Sequence, residues 1–534
     1  MGDMMIKLSL LLVFFAVMVA IGLYCRRHTT DVAGFVLGGR SVGPWLTAFA
    51  YGTSYFSAVV FVGYAGQFGW KYGIAATWAG LGNAFLGSLL AWAVLGRRTR
   101  VMTQHLDSAT MPEFFGRRFD SRPLKLCASV VIFVFLIPYT ASLYNGLSRL
   151  FGMAFDIDYS VCVIVMAVLT GVYVIAGGYM ATAINDFIQG IIMLVGIIAV
   201  VAAVLQRQGG FMAALEGLAQ VSDPAVSSAP GVFASFFGPD PAGLLGVVLL
   251  TSLGTWGLPQ MVQKFYAIRS EKSINTGMVI STVFALVVAG GCYFLGGFGR
   301  LFSDRVDVAA EGYDAIIPAM LSDLPAILIA VVVILVLSAS MSTLSSLVLA
   351  SSSTLTLDFL KETVFPDMDE KRQVHWMRGL VVVFIAISVV LAIIQYNSNI
   401  TFIAQLMGVS WGALAGAFLA PFLYGLYWKR TTKAACAVNF LFSTAVMLAN
   451  IFFGGSFPTL LQSPINCGAF CMLAGLVIVP VVSLLTRAPN GGRVAEIFSC
   501  YEQTVTVTVK DSIGRSGEKR KQAGPIRQNP TKRH

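Results

Sequence analysis

Apolar runs of about twenty residues recur thirteen times in this chain. They fall at about residues 7–25, 45–66, 72–95, 124–150, 158–177, 182–205, 242–262, 274–300, 325–357, 377–396, 400–427, 433–454 and 465–486. About twenty helical residues cross the hydrocarbon core of a bilayer. A backbone without water must satisfy its own polar groups there, which makes each run a helix. Composition agrees, since 57% of the 534 residues are hydrophobic and 12% are charged, about half the charged share of a soluble chain. The expected class is an all-α polytopic membrane protein.

Charge sets the expected orientation. With the N-terminus outside, the inner loops hold roughly thirty of the 36 Lys and Arg, including Arg97, Arg98, Arg100, Arg117, Arg118, Arg122, Lys429, Arg430 and Lys433, as the positive-inside rule requires. The loop near 301–324 is acidic (Asp304, Asp307, Glu311, Asp314, Asp323) and is placed outside. The first run, Leu8–Tyr24, has a weak basic start, lacks a small-residue cleavage site and is followed by Arg26 and Arg27. It reads as a retained span rather than a signal peptide. The tail from Arg487 is basic and reads as disordered and cytoplasmic, in reach of anionic lipid. A net charge of +10 distributed in this way gives no reason to expect nucleic acid. The eight Cys are scattered without CxxC, and Cys467 and Cys471, one helical turn apart, read as packing residues.

Spans two to six start inside and spans seven to eleven start outside, so two five-span halves run in opposite senses. Each half opens with an interrupted segment. Span two carries Gly52, Gly63, Gly66 and Gly69 among hydroxyls, and span seven carries Gly254, Gly257 and Pro259. Matched Gly/Pro-interrupted spans point to an inverted-repeat transporter with its site near mid-membrane. The third span of each half is also polar: Tyr139, Thr140, Ser142, Tyr144 and Asn145 in one, and SASMSTLSSLVLASSSTLT (338–356) in the other. Hydroxyls this dense serve either close helix packing or the replacement of water around a hard cation. Depth places Ala339–Thr343 level with Thr53–Phe56, and Ser345 and Ser346 level with Asp186, the one acid inside the spans as drawn. Asp186 reads either as a cavity-facing carboxylate or as a cap at a helix start. Sodium suits two such oxygen clusters.

GGRSVG (38–43), AGGYMATAINDFIQGIIML (176–194) and SASMSTLSSLVLASSS (338–353) together resemble the sodium:solute symporter family, which includes carriers of proline, pantothenate, sialic acid and glucose. The resemblance covers roughly residues 1–485. It implies a LeuT-type five-plus-five inverted repeat with one extra helix before and two after, thirteen in all. The corresponding divisions are 1–43 (first helix and cytoplasmic loop), 44–205 (first repeat), 206–241 (extracellular loop), 242–427 (second repeat), 428–486 (two additional helices) and 487–534 (tail). It also implies a first sodium site at the carbonyls of Thr53, Phe56 and Ala339 and the hydroxyls of Ser342 and Thr343. A second site, present in some members, falls on Asp186, Ser345 and Ser346, with Ser342 as a further candidate. The family's proline carriers resemble this chain at Tyr139 and Pro259. They carry an acid where Tyr55 stands and aromatics where Val59, Thr251 and Thr255 stand, so most of the proline cage is missing.

Candidate solute contacts are Ser57, Tyr139, Thr255, Trp256, Pro259 and Gln405. The spans as drawn hold no embedded Lys or Arg, because Arg149 and Lys264 sit near span ends and read as snorkelling side chains. An anionic group would instead be held by half-helix N-termini and hydroxyls. The expected function is sodium-coupled symport of a small organic solute, an organic acid or amino acid, into the cell across the cell (inner) membrane by alternating access, with one or two sodium ions. The alternatives are a transporter-like sensory receptor and a proton-coupled carrier of the same fold. A channel would need a continuous pore with selectivity rings. An enzyme lacks support, since the four His (His28, His105, His375, His534) lie in loops or the tail without ligand spacing.

Overall fold

The places where helices stop inside apolar sequence define this architecture. A computed structural model of the chain describes residues 2–26, 31–155, 158–398 and 403–502, and it is helical nearly throughout. Among the described residues, nine helices are long and apolar enough to cross a membrane. They number ten when Pro241–Trp256 and Pro259–Ala267, bent by 40° at their junction, count as one broken span. Each apolar run of the sequence falls on a helix, but two pairs of neighbouring runs are joined. The helix Tyr159–Arg207 has 49 residues, a length of about 73 Å at 1.5 Å per residue against a core of about 30 Å. It therefore turns back, and it does so at Gly178, where φ is +53° and ψ is −148°. That conformation is open to glycine and strained for any other residue. Packing adds a second reason, because a Cβ at Gly178 would lie 2.9 Å from the Phe35 ring and carbonyl oxygen.

Span two breaks at the level of Thr53–Phe56, the one expected for its carbonyls. The inner half, Pro44–Tyr55, ends at Phe56, whose backbone is extended at φ −89° and ψ 116°. Its glycines serve close approach instead. A Cβ at Gly69 would meet the Gly296 carbonyl oxygen at 1.8 Å, so the outer half lies backbone to backbone on helix Lys272–Gly296. Span seven breaks as its sequence requires. Leu258 is extended (φ −79°, ψ 125°) and Pro259 starts the inner half Pro259–Ala267, where the missing proline N–H costs nothing. The two breaks thus share one backbone conformation in corresponding members of the two halves. Helix Ala326–Thr354 packs against Tyr159–Arg207 and Arg122–Phe155, while Lys433–Phe453 and Pro464–Leu485 pack on Ile403–Tyr427.

The basic residues assigned to one side of the membrane do gather at one end of the bundle, and the GGRSVG motif closes that end. Gly38, Gly39 and Arg40 all have positive φ, which turns the chain so that the Arg40 guanidinium reaches inward. It donates to the carbonyls of Ser108 (2.7 Å), Tyr266 (3.1 Å) and Thr103 (3.3 Å). The Arg269 N–H donates to the Val42 carbonyl at 2.9 Å. The first part of the basic tail is ordered, contrary to the sequence reading. Helix Gly491–Phe498 buries Val494, Ile497 and Phe498. Arg493 pairs with Asp120 at 3.1 Å, and Arg118 lies between the rings of Phe119 and Phe498. The apolar spacing of Val494, Ile497 and Phe498 was the available signal for this helix. The rest of the tail, 503–534, lies outside the described residues.

Gly178→Ala is expected to destabilise the protein by about 1–3 kcal/mol, seen as a lower melting temperature in detergent. Gly379→Ala, on an open helical surface with nothing within 4 Å, should leave the melting temperature unchanged or raise it slightly.

Candidate functional site

A helix leaves its last carbonyls without intrahelical partners. At the Phe56 break this happens deep inside the protein, where Thr53, Ser54, Phe56, Ser57, Ala339, Ser342 and Thr343 are all buried. Helix Ala326–Thr354 supplies what the break lacks. The Ser342 hydroxyl lies 3.1 Å from the Thr53 carbonyl oxygen and 3.0 Å from that of Ala339. The Thr343 hydroxyl lies 3.0 Å from Thr53, 3.2 Å from Phe56 and 3.0 Å from Ala339. The five oxygens expected for the first cation are thus brought together. Ala339 lies inside helix Ala326–Thr354, where its carbonyl also accepts along the helix, so the two hydroxyl protons serve the Thr53 and Phe56 carbonyls at the break. Hard cations take oxygen at about 2.3–2.6 Å, which sets ligand oxygens roughly 3.4 Å apart, so an expansion of a few tenths of an ångström would fit one.

The second cluster has a different content. Asp186 is fully buried in the interior of its helix, well past the turn at Gly178, which removes the helix-cap reading. Lys264 is buried with it and is no snorkelling residue. Its side chain is 2% exposed and its ammonium lies 3.9 Å from Asp186 Oδ2. Lys264 donates to the Ser346 hydroxyl at 3.0 Å and lies over the Tyr179 ring at 5.1 Å. Ser346 also meets Ser54 Oγ at 2.9 Å, and Ser345 donates to the Ser342 carbonyl at 2.9 Å. Two of the residues assigned to the second site, Asp186 and Ser346, therefore flank one ammonium, while Ser345 stays with the Ser342 carbonyl of its own helix. The sequence reading ended span seven at 262, and the break at Leu258 carries the inner half-helix on to Ala267 with every residue from Pro259 buried. The side chain of Arg149 lies outside the described residues. A second acid, Asp358, is likewise buried, and it accepts from Thr110 at 2.5 Å with Lys125 at 3.6 Å. Further along the serine-rich stretch, Ser352, Ser353 and Thr356 bond back to their own helix, which is the packing role expected of hydroxyls there.

The solute candidates divide. Ser57 caps the outer half of span two by accepting from the Val59 N–H at 3.2 Å. Tyr139 stands edge-on to Trp411 at 5.9 Å between ring centres and faces Ser57. Thr255 and Trp256 are committed to span three, donating to the carbonyls of Gly87 and Leu86, each at 2.9 Å. Pro259 starts the inner half-helix, and Gln405 is half-buried near the described start of its helix. A group of buried phenols was missed. Tyr64 faces Tyr139 and Tyr293, and Tyr293 faces Asn83. The hydroxyls of Tyr55, Tyr64, Tyr139 and Tyr293 close no hydrogen bond among the described residues, nor do Gln67 Oε1, Asn83 Oδ1 and Trp411 Nε1. Buried polar atoms without partners are rare, and this group gathers several of them. The signal available in the sequence was Tyr55, at the position where the family's proline carriers have an acid.

A profile described as the sodium:solute symporter family matches residues 35–441. The chain belongs to the sodium:solute symporter family. The symporter is 28% identical to the osmoregulated proline transporter OpuE of Bacillus subtilis (strain 168) over 483 residues, 89% of this chain and 94% of that protein. It is 29% identical to a sodium/proline symporter of Staphylococcus aureus (strain JH9) over 446 residues, 82% of this chain and 84% of that one. A solved structure of a sodium-coupled sialic acid symporter, substrate-bound and outward-open, superposes with a TM-score of 0.72 at 16% identity, covering 90% of this chain and 98% of the other. The architecture is the LeuT-type inverted repeat, and the protein is a multi-pass, sodium-coupled symporter of a small solute rather than an enzyme.

The Lys264–Asp186 pair gives the symporter a stability signature. Removing one partner of a buried ion pair strands the other charge, at a cost of about 3–5 kcal/mol. Lys264→Met alone should therefore lower the melting temperature markedly, while the double variant Lys264→Met, Asp186→Leu should recover most of the loss. Equal loss in single and double variants would show that the pair does not act as a unit.

Proposed function

We propose that this symporter moves a carboxylate-bearing solute, an amino acid or a small organic acid, into the cell, with sodium bound by Thr53, Phe56, Ala339, Ser342 and Thr343. The observation that carries this reading is the convergence of those five oxygens across two helices at the Phe56 break. A cation there joins the broken span to helix Ala326–Thr354, so it favours the conformation in which the two are in contact. The solute site adjoins it, lined by Tyr55, Ser57, Tyr64, Tyr139, Tyr293, Asn83 and Trp411. Phenol hydroxyls and the Trp411 indole N–H, donors without partners among the described residues, suit a carboxylate. Lys264 is engaged with Asp186 and is not free to clamp one. Sodium and solute then raise each other's affinity by the same factor.

The relatives named for proline support an amino acid, while Tyr55, Val59, Thr251 and Thr255 argue for a solute other than proline. The basic end of the bundle is proposed to face the cytoplasm of the cell membrane, with the N-terminus outside, thirteen helices in all and repeats over 44–205 and 242–427. Arg40 closes the cytoplasmic side in this conformation.

Ser342→Ala combined with Thr343→Ala should cut sodium-dependent uptake at least tenfold at unchanged expression. Thr343→Ser, which keeps the hydroxyl, should retain most of it. Unaltered sodium activation in the double variant would overturn the assignment. Carboxylates and amino acids are expected to raise the melting temperature of the purified protein, and by more in sodium than in potassium, since a ligand stabilises the state that binds it.

A further inference from the structure

We propose that the Lys264 ammonium is the permanent occupant of the second cation position, so that the symporter couples each solute to a single sodium ion. This rests on the sodium-coupled reading above and concerns only the ion count. Asp186, Ser345 and Ser346 are the residues the family resemblance assigns to a second sodium, and the structure puts a covalently tethered cation among them. The ammonium lies 3.0 Å from Ser346 Oγ and 3.9 Å from Asp186 Oδ2, with both side chains of the pair almost fully buried.

A sodium ion about 2.3–2.6 Å from Ser346 Oγ would sit within about 5.5 Å of the Lys264 nitrogen, which lies 3.0 Å from the same oxygen. Two unit charges within that distance, even at an effective dielectric of about 20, weaken binding at least about a hundredfold. Charge balance agrees, because Asp186 brings one negative charge and Lys264 already neutralises it. The Ser346 oxygen is engaged as well, since it accepts from the ammonium at 3.0 Å. The tether is also firm. Lys264 stands on the inner half-helix of span seven, where its neighbour Gln263 donates to the Val36 carbonyl at 3.0 Å and Tyr266 holds Arg40 at 3.1 Å. The first site lacks such a cation and remains open to sodium.

Binding of radioactive sodium to the purified full chain, counted per molecule at saturation, tests this. The wild type should bind one ion, and Thr343→Ala should lose it. Lys264→Gln, which keeps Asp186 and removes the ammonium, should bind a second ion, with a sodium-induced rise in melting temperature larger than that of the wild type. Lys264→Gln combined with Asp186→Asn should return to one. Two ions in the wild type, falling to one in Ser345→Ala, Ser346→Ala, would overturn the inference even if no Lys264 variant folds. A single ion in a folded Lys264→Gln protein would do the same. A wild type that binds no sodium would instead refute the coupled reading on which the inference stands.

Discussion

Backbone carbonyls released inside a bilayer have no water to turn to, and the protein must supply partners for them. At Phe56 the partners are the hydroxyls of Ser342 and Thr343, at 3.0–3.2 Å from the Thr53, Phe56 and Ala339 carbonyls. Much of the fold is arranged around this arrangement. A serine-rich stretch can run through an apolar helix because it faces a broken helix rather than lipid. Helices pack closely enough to enclose the break because small residues line the contacts, as where Gly69 meets Gly296. The oxygens gathered at the break are of the kind a hard cation takes as ligands.

The second break serves a different purpose. At Leu258 the chain turns, and the inner half-helix that follows carries its cation into the bundle instead of toward water. Lys264 joins the helix Pro259–Ala267 to Asp186 on Tyr159–Arg207 and to Ser346 on Ala326–Thr354, and Ser346 meets Ser54 on the first broken span. Four segments from both halves of the chain therefore meet through one ammonium. Below it, Arg40 ties the GGRSVG turn to Thr103, Ser108 and Tyr266.

The spans were legible because hydrophobicity over twenty residues is a direct statement of where a segment can live. The meeting of Ser342 and Thr343 with the break in span two was legible for a related reason, since hydroxyls at that density inside an apolar helix contradict their surroundings. The inward extent of span seven was not. A charged residue past the last apolar position looks like an interface residue, and only tertiary cover by the GGRSVG turn and its neighbours makes Lys264 an interior one. Glycine marks both flexibility and close approach, and at Gly52 and Gly69 the second meaning holds. The group of buried tyrosines escaped because an aromatic in a membrane helix is usually packing, and what distinguishes Tyr64 or Tyr293 is an unpaired hydroxyl, which no spacing reports. The helix Gly491–Phe498 was concealed by its basic surroundings.

Lys264 also bears on how far the protein can concentrate what it carries. One sodium ion crossing 100 mV contributes about 2.3 kcal/mol, and a tenfold sodium gradient adds about 1.4 kcal/mol. Together they hold a neutral solute at a ratio of roughly five hundred to one. A second ion would square that ratio. A charge that stays with the protein cannot be released inside, so the ammonium contributes its attraction for Asp186 without contributing to the gradient. Under the single-ion coupling proposed above, the ceiling on accumulation is the one-ion ratio.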